Sequence, residues 1–339
     1  MGEETIDTRN ILRRAQIGAE LPDSVWKCST CRLCEESCPR DVDIVNVVLG
    51  LRELEFQDRK APERIEKLVW DIYEDGNPWG GKKGDRNKWA EGLEIKDASK
   101  GVETLLFVGC DGAYNKELHK SLRSLAEILK KSGTDFGFLG NEESCCGEPV
   151  RDAGETGYLD ELVEKNISQF ESTKARTLVT FSPHCSNMFS TIYKKKGLKM
   201  KVMHYSEYLN ELVRDGKITI NSEIKKKITI HDPCYLSRYG GDSKELRELV
   251  VKVPGTEIVE MENSGKNSLC CGGGGDRIFM DFEGKRLSDF RMEQAKNTGA
   301  EVVITACPIC NMNLSDSRKV NGIKMEIMEL SEFLKGGTE

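Results

Sequence analysis

The chain has 339 residues, a hydrophobic share of 38% and a formal net charge of −7, enough for two or three domains with ordinary cores. No apolar run approaches the roughly 18 residues that span a bilayer, and the acidic balance excludes a general nucleic-acid surface. The start, Met1-Gly2-Glu3-Glu4, lacks the basic and apolar regions of a secretory leader. A cytoplasmic location is expected, where 13 cysteines point to metal or redox chemistry rather than structural disulfides.

Residues 1–75 read as a small helical domain. Ile11, Leu12 and Ala15 sit at helical spacing, and Ile44, Val47, Val48, Leu51 and Leu54 form a second apolar stripe. Between them lies Cys28-x2-Cys31-x2-Cys34-x3-Cys38-Pro39, the run of a bacterial ferredoxin 4Fe–4S cubane. Equal short gaps let successive thiolates wrap one face of an iron–sulfide core, whereas zinc takes two well-separated pairs. In two-cluster ferredoxins the fourth cysteine serves the other cluster, and a single run is present here. Either Cys38 closes its own cluster, or the fourth ligand comes from elsewhere, or the site holds three irons. Residues 76–100 then read as a linker rich in glycine and turn formers, with Trp79 and Trp89 as anchors.

The remainder is a duplication, residues 101–220 and 221–339. The 125-residue offset from Cys145 to Cys270 also links Cys146 to Cys271, Cys185 to Cys310, Pro183 to Pro308 and Thr180 to Thr305. Strands over 104–108 and 228–231 run into Cys110 and Cys234, and strands over 177–181 and 302–306 run into Cys185 and Cys307. Strands near 135–139 and 257–260 follow helices. This alternation predicts two α/β domains with largely parallel sheets and cysteines at strand ends, where open α/β sheets gather their sites.

The second frame, Cys234, Cys270-Cys271 and Cys307-Pro308-Ile309-Cys310, offers five thiolates, more than one tetrahedral zinc ion takes. Gly272 to Gly275 would let the backbone approach an inorganic core. A thioredoxin-type pair at Cys307 and Cys310, a strained vicinal disulfide at Cys270-Cys271 and a zinc-held scaffold are the competing readings. The first copy carries Ser182 where the second has Cys307. Cys110, Cys145, Cys146 and Cys185 remain, sufficient for a cubane or another four-ligand site. No flavin or nicotinamide fingerprint is present, since Asp276 and Arg277 break any Gly-x-Gly-x-x-Gly after Gly272.

The pattern Cys-x(n)-Cys-Cys-Gly-x(n)-Cys-Pro-x-Cys resembles the duplicated CCG domain of heterodisulfide reductase catalytic subunits of the D type. It is carried by Glu142-Glu143-Ser144-Cys145-Cys146-Gly147, Ser182-Pro183-His184-Cys185, His231-Asp232-Pro233-Cys234-Tyr235 and Cys270-Cys271-Gly272-Gly273-Gly274-Gly275. Trp26-Lys27-Cys28 through Cys38-Pro39-Arg40-Asp41-Val42 resembles the second cluster motif of that family's helical ferredoxin module, and Asn77-Pro78-Trp79-Gly80 its linker. The module's first cluster motif is missing. The resemblance implies a noncubane iron–sulfur cluster in the second copy, on Cys234, Cys270, Cys271, Cys307 and Cys310, that reduces a small thiol disulfide with electrons from the N-terminal cubane. The alternative is an electron-relay subunit of a larger dehydrogenase or quinone-linked complex. Either way the donor or acceptor would be a flavoprotein, a ferredoxin-like protein or a membrane cytochrome, and membrane contact would come through that partner.

Disulfide reduction consumes protons, so acids near the cluster are expected. His184 beside Cys185 and His231 before Cys234 suit proton donation or a hydrogen bond that tunes potential. His119 reads as solvated, and His204 as undecided. Arg238, Arg277 and Lys285 are candidates for an anionic substrate, although Lys285 also reads as solvated surface. Lys194–Lys196 and Lys225–Lys227 read as solvated edges.

Overall fold

The computed structural model describes residues 7–241 and 243–338, the side chain of Asp23 excepted; the Met1 to Glu4 start lies outside them. The helix Thr8–Ile17 opens on the Asp7 side chain, which accepts from the Asn10 amide, and Ile44–Gln57 opens in the same way on Asp43. Glu63–Asp75 follows and ends at Gly76, φ 70°. The stripe expected on Ile44–Gln57 is shifted: Ile44, Val45 and Val48 are buried, but Leu54 is 57% exposed. The inward position is taken instead by Arg52.

Arg52 is fully buried, and its guanidinium donates to the carbonyls of Val25, Cys28, Asp152 and Gly275 at 2.8–3.2 Å. One side chain therefore pins the N-terminal loop, the first copy and the second copy together. Truncating it strands buried acceptors. Arg52→Met is expected to lower unfolding free energy by about 3 kcal/mol, read by chemical denaturation of the iron-loaded protein.

Among the described residues nine strands form two sheets: β1 Lys96–Asp97, β2 Thr104–Phe107, β3 Phe136–Phe138, β4 Thr177–Thr180, β5 Lys201–His204, β6 Lys226–Ile230, β7 Thr256–Ile258, β8 Val302–Thr305 and β9 Glu326–Glu329. The orders are β1-β3-β2-β4-β5 and β7-β6-β8-β9, with every pairing parallel. β2 and β8 are buried along their whole length, as parallel strands covered on both faces must be. The expected linker is not bare loop, because it supplies β1 as the edge of the first sheet. Trp89 is buried in the core, and Trp79 packs on Phe279 at 4.7 Å.

In each copy the chain leaves the first central strand for one side of the sheet and returns on the other, so β2/β4 and β6/β8 flank a switch point. Ligands of open α/β sheets bind outside the strand ends at such points. The turns after these four strands carry Cys110, Cys185, Cys234 and Cys307. The copies share one core: Leu122, Leu125, Tyr205 and Leu209 of the first pack in the same cluster as Ile228, Leu246, Leu330 and Phe333 of the second.

Gly274 and Gly275 lie against the backbone of the N-terminal cysteine loop. A Cβ at Gly274 would lie 2.6 Å from the Ser29 carbonyl oxygen, and one at Gly275 2.2 Å from that of Cys28. Gly274 and Gly275 thus also seat the N-terminal cysteine loop on the second copy, a use of the glycine run that the sequence reading did not include.

Candidate functional site

The loop carrying Cys28, Cys31 and Cys34 lies between the first two long helices. Cys28 and Cys34 pack with Ile11, Val25, Ile44 and Val48; burial pushes them up to about 11 and about 12. Cys31 packs instead with Cys234, Tyr235 and Cys270, and its thiol is within hydrogen-bond reach of Cys270. Its neighbours Thr30 and Arg32 adopt φ of 49° and 60°, a strained region for non-glycine residues. They are held there by the second copy: the Thr30 hydroxyl sits 3.1 Å from the Tyr235 hydroxyl, and the Arg32 guanidinium lies 3.8 Å above the Tyr239 ring. The groups acting most strongly on Cys38 are the amides of Val42 and Arg40, which lower it.

The five thiols of the second copy are reduced and buried. Cys307 is the N-cap of the helix Pro308–Val320 and Cys310 lies in its first turn. Hydrogen-bond contacts run Cys234 to Cys270 to Cys271 to Cys310 to Cys307, so the Cys-x-x-Cys pair is not isolated as a thioredoxin-type pair would be. Gly272, φ 86°, donates its amide to Cys270 Sγ at 3.2 Å. Burial opposes ionisation of Cys307, yet hydrogen bonds from Cys310 and His184 bring it down to about 6. Contacts with Cys270 and Cys310 likewise lower Cys271. This contiguous soft-sulfur set fits an iron–sulfur group better than a hard cation, and it is too large for one zinc ion.

The ligand atoms of His231, Cys271 and Cys310 lie within 4.8 Å of one another. His231 Nδ1 accepts from Arg291 Nε at 3.1 Å. Arg291 is fully buried and also donates to the Asn263 carbonyl and Gln294; burial lowers it to about 10, so it stays cationic at neutral pH.

In the first copy Cys110, Cys145, Cys146 and Cys185 are joined by hydrogen-bond contacts. They line a cavity of about 30 Å³ with Ser182, His184 and Phe279. Ser182 Oγ is buried with no partner among the described residues. Arg86, which no sequence motif marks, donates to Cys110 Sγ at 3.4 Å and to Glu143 at 2.9 Å. Glu143 in turn accepts from the Val108 and Gly109 amides. Four thiols and a cation fit a four-ligand iron–sulfur group.

His184 reaches across the copies. It is within hydrogen-bond reach of Cys307, bonds Glu148 through Nδ1 at 2.8 Å and stacks on Tyr235 at 3.9 Å. Glu148 also accepts from the Tyr235 hydroxyl at 2.9 Å. His204 caps the helix Tyr205–Arg214 and is structural; burial lowers it to about 3. His119 is half-buried, with Nε2 3.0 Å from the Ala113 carbonyl oxygen, rather than solvated. Of the candidate anion binders, Arg238 donates to the carbonyls of Cys31, Lys266 and Ser268 and keeps a buried Nη2 with no partner among the described residues, and Arg277 donates to those of Gly272 and Lys27. Lys285 pairs with Glu293. In the lysine runs, Lys196 pairs with Asp160 and Lys226 with Glu326.

A cavity of about 410 Å³ opens beside the second copy's thiols, lined by Trp79, Cys271, Arg277, Met280, Phe282 and Asn313 among others. No helix among the described residues is long and apolar enough to cross a membrane.

Known proteins resemble the chain over most of its length. The chain is 35% identical over 88% of its length to a probable iron–sulfur-binding oxidoreductase, FadF, of Bacillus subtilis, covering 44% of that protein. It is 29% identical over 88% of its length to the EtfAB:quinone oxidoreductase of Syntrophomonas wolfei, covering 44% of it. It is also 29% identical over 91% of its length to the D-type polypeptide of the dihydromethanophenazine:CoB–CoM heterodisulfide reductase of Methanosarcina barkeri, covering 76% of it. The chain thus spans less than half of the first two. The cysteine-rich CCG domain matches residues 104–190 and 228–315, more than half of the chain and both switch-point sites, and the chain belongs to the CCG cysteine-rich domain family.

Proposed function

We propose that the protein is a heterodisulfide reductase-like iron–sulfur oxidoreductase. Cys28, Cys31 and Cys34 would hold a cubane, and Cys234, Cys270, Cys271, Cys307 and Cys310 a noncubane group, which would supply the electrons for reducing a disulfide seated in the cavity beside Cys271. The observation that carries this reading is the contact of the Cys31 and Cys270 thiols, which makes the N-terminal site and the second copy's site neighbours. Iron–sulfur groups, when bound, supply the one-electron steps.

The chain's own residues do the rest. Arg52, Arg238 and Arg277 clamp the N-terminal loop through its carbonyls and fix the transfer geometry. Trp79, Met280 and Phe282 give the cavity an apolar wall suited to a thiol's carbon chain. In the net reaction one S–S bond breaks, two electrons come from a reduced flavoprotein, ferredoxin-like or cytochrome partner, and two protons complete two S–H bonds. His184, tied to Cys307 and Glu148, is placed to hold one of those protons.

A second reading, an electron relay with no substrate of its own, is favoured by the first copy. Its four thiols line a cavity of about 30 Å³, room for about one water, and relatives include an EtfAB:quinone oxidoreductase. Chemically reduced, anaerobic full-length protein mixed with a panel of mixed thiol disulfides separates the two. Thiol release matched by oxidation of the second-copy centre supports disulfide reduction. Inertness to every disulfide, with rapid reoxidation by a flavoprotein or quinone analogue, supports the relay.

A further inference from the structure

His231 and Arg291 are both buried, at 1% and 0% exposure, and each ends in a nitrogen with no partner among the described residues, His231 Nε2 and Arg291 Nη2. Two orphaned buried donors side by side are costly unless something anionic meets them. Arginine only donates hydrogen bonds, so the Arg291 Nε bond to His231 Nδ1 requires a lone pair there. The ring proton must then sit on Nε2. A neutral imidazole held in this form has no lone pair left for a metal, so His231 does not ligate with Cys271 and Cys310 despite its 4.8 Å proximity to them. Its free N–H is a donor toward sulfur.

The duplication supplies an independent control. β2 Thr104 pairs with β4 Thr177 as β6 Ile228 pairs with β8 Val302, which places His231 at the position of Phe107 and, by the 125-residue offset, Arg291 at that of Asn166. Phe107 packs on Phe170 and Phe189, and Asn166 Nδ2 donates to the Cys145 carbonyl and the Tyr193 hydroxyl. The first copy has neither free donor. The pair belongs to the copy with five thiols and the larger cavity.

We propose that His231 Nε2–H and Arg291 Nη2–H form an anion hole for sulfur at the Cys271–Cys310 edge of the second centre. Like preorganised donors at an oxyanion, they stabilise negative charge on sulfur as the centre accepts an electron. The inference rests on the centre proposed above but not on a disulfide being its substrate.

The test is EPR-monitored redox titration of the iron-loaded full chain and of His231→Phe, His231→Gln and Arg291→Asn, without disulfide. Two of these install the first copy's residues. Losing one hydrogen bond to a charged group is expected to shift the one-electron equilibrium about tenfold, lowering the potential by ~59 mV in His231→Phe and Arg291→Asn. His231→Gln, which keeps an N–H, should recover most of that loss, and the N-terminal centre's signal should not move. Unchanged potentials in Phe and Asn, or a Gln variant that falls as far as Phe, overturn the proposal. If His231→Phe does not assemble, Arg291→Asn must still fall while Gln holds; equal potentials in those two and the parent overturn it. Protein inert to every disulfide but showing these shifts would sink the substrate reading and leave the anion hole standing.

Discussion

Replacing Cys271 by alanine is expected to abolish the second centre's spectrum and reduce thiol release by at least about 100-fold, leaving the N-terminal centre's spectrum in place. Loss of a mere outer-shell partner already costs about 10–100-fold, and Cys271 holds a more central position. It links Cys270 to Cys310, sits beside His231 and lines the 410 Å³ cavity. Cys185→Ala is the matching control. Its sulfur belongs to the first copy's group, so it should remove that copy's centre and spare the second. Anaerobic EPR of the two variants, with thiol titration, checks both outcomes.

Gly275→Ala is expected to be nearly as damaging although it touches no thiol. The residue sits at φ 62°, where an L side chain costs about 1–2 kcal/mol. Its Cβ would stand 2.2 Å from the Cys28 carbonyl oxygen, a rigid backbone atom that Arg52 holds in place. Overpacking adds about 1–3 kcal/mol. The variant should lose about 3 kcal/mol or more of stability and, because the Cys28–Cys34 loop must lift off the second copy, transfer electrons between the two centres far more slowly. Denaturation and stopped-flow reduction read the two effects. Gly322→Ala, at a similar φ of 61° but with nothing within 4 Å, should show the backbone penalty alone.

The strands and their cysteine turns were legible because buried parallel strands are near-continuous apolar runs and because the duplication repeats each one in register. The thiol sets of the two copies followed from the same repeat, and hydrogen-bond contacts join the thiols within each set. What the sequence could not show is which parts of different units touch. His184 reads as a neighbour of Cys185, yet it serves Cys307 across the interface. The glycines after Cys271 read as room for a cluster, yet two of them make room for another backbone. The distant carbonyls that Arg238 and Arg277 meet leave no trace in local spacing. Arg291 sits in the polar, charged helix Leu287–Asn297, where an inward guanidinium looks like any surface charge. Its one signal was the 125-residue offset to Asn166, a buried polar residue on the inner face of the first copy's helix. Cys38 fits the ferredoxin run by spacing, and the amides of Val42 and Arg40 are the groups that act most strongly on its sulfur.

The most direct measurement is Mössbauer spectroscopy, with metal and sulfide analysis, on anaerobically prepared full-length protein carrying isotopically labelled iron, parent beside Cys271→Ala. A noncubane centre on the second copy's thiols requires iron and sulfide in the parent and one iron environment that vanishes in the variant while the N-terminal environment persists. Zinc as the sole bound metal, or identical iron spectra from the two proteins, would contradict it.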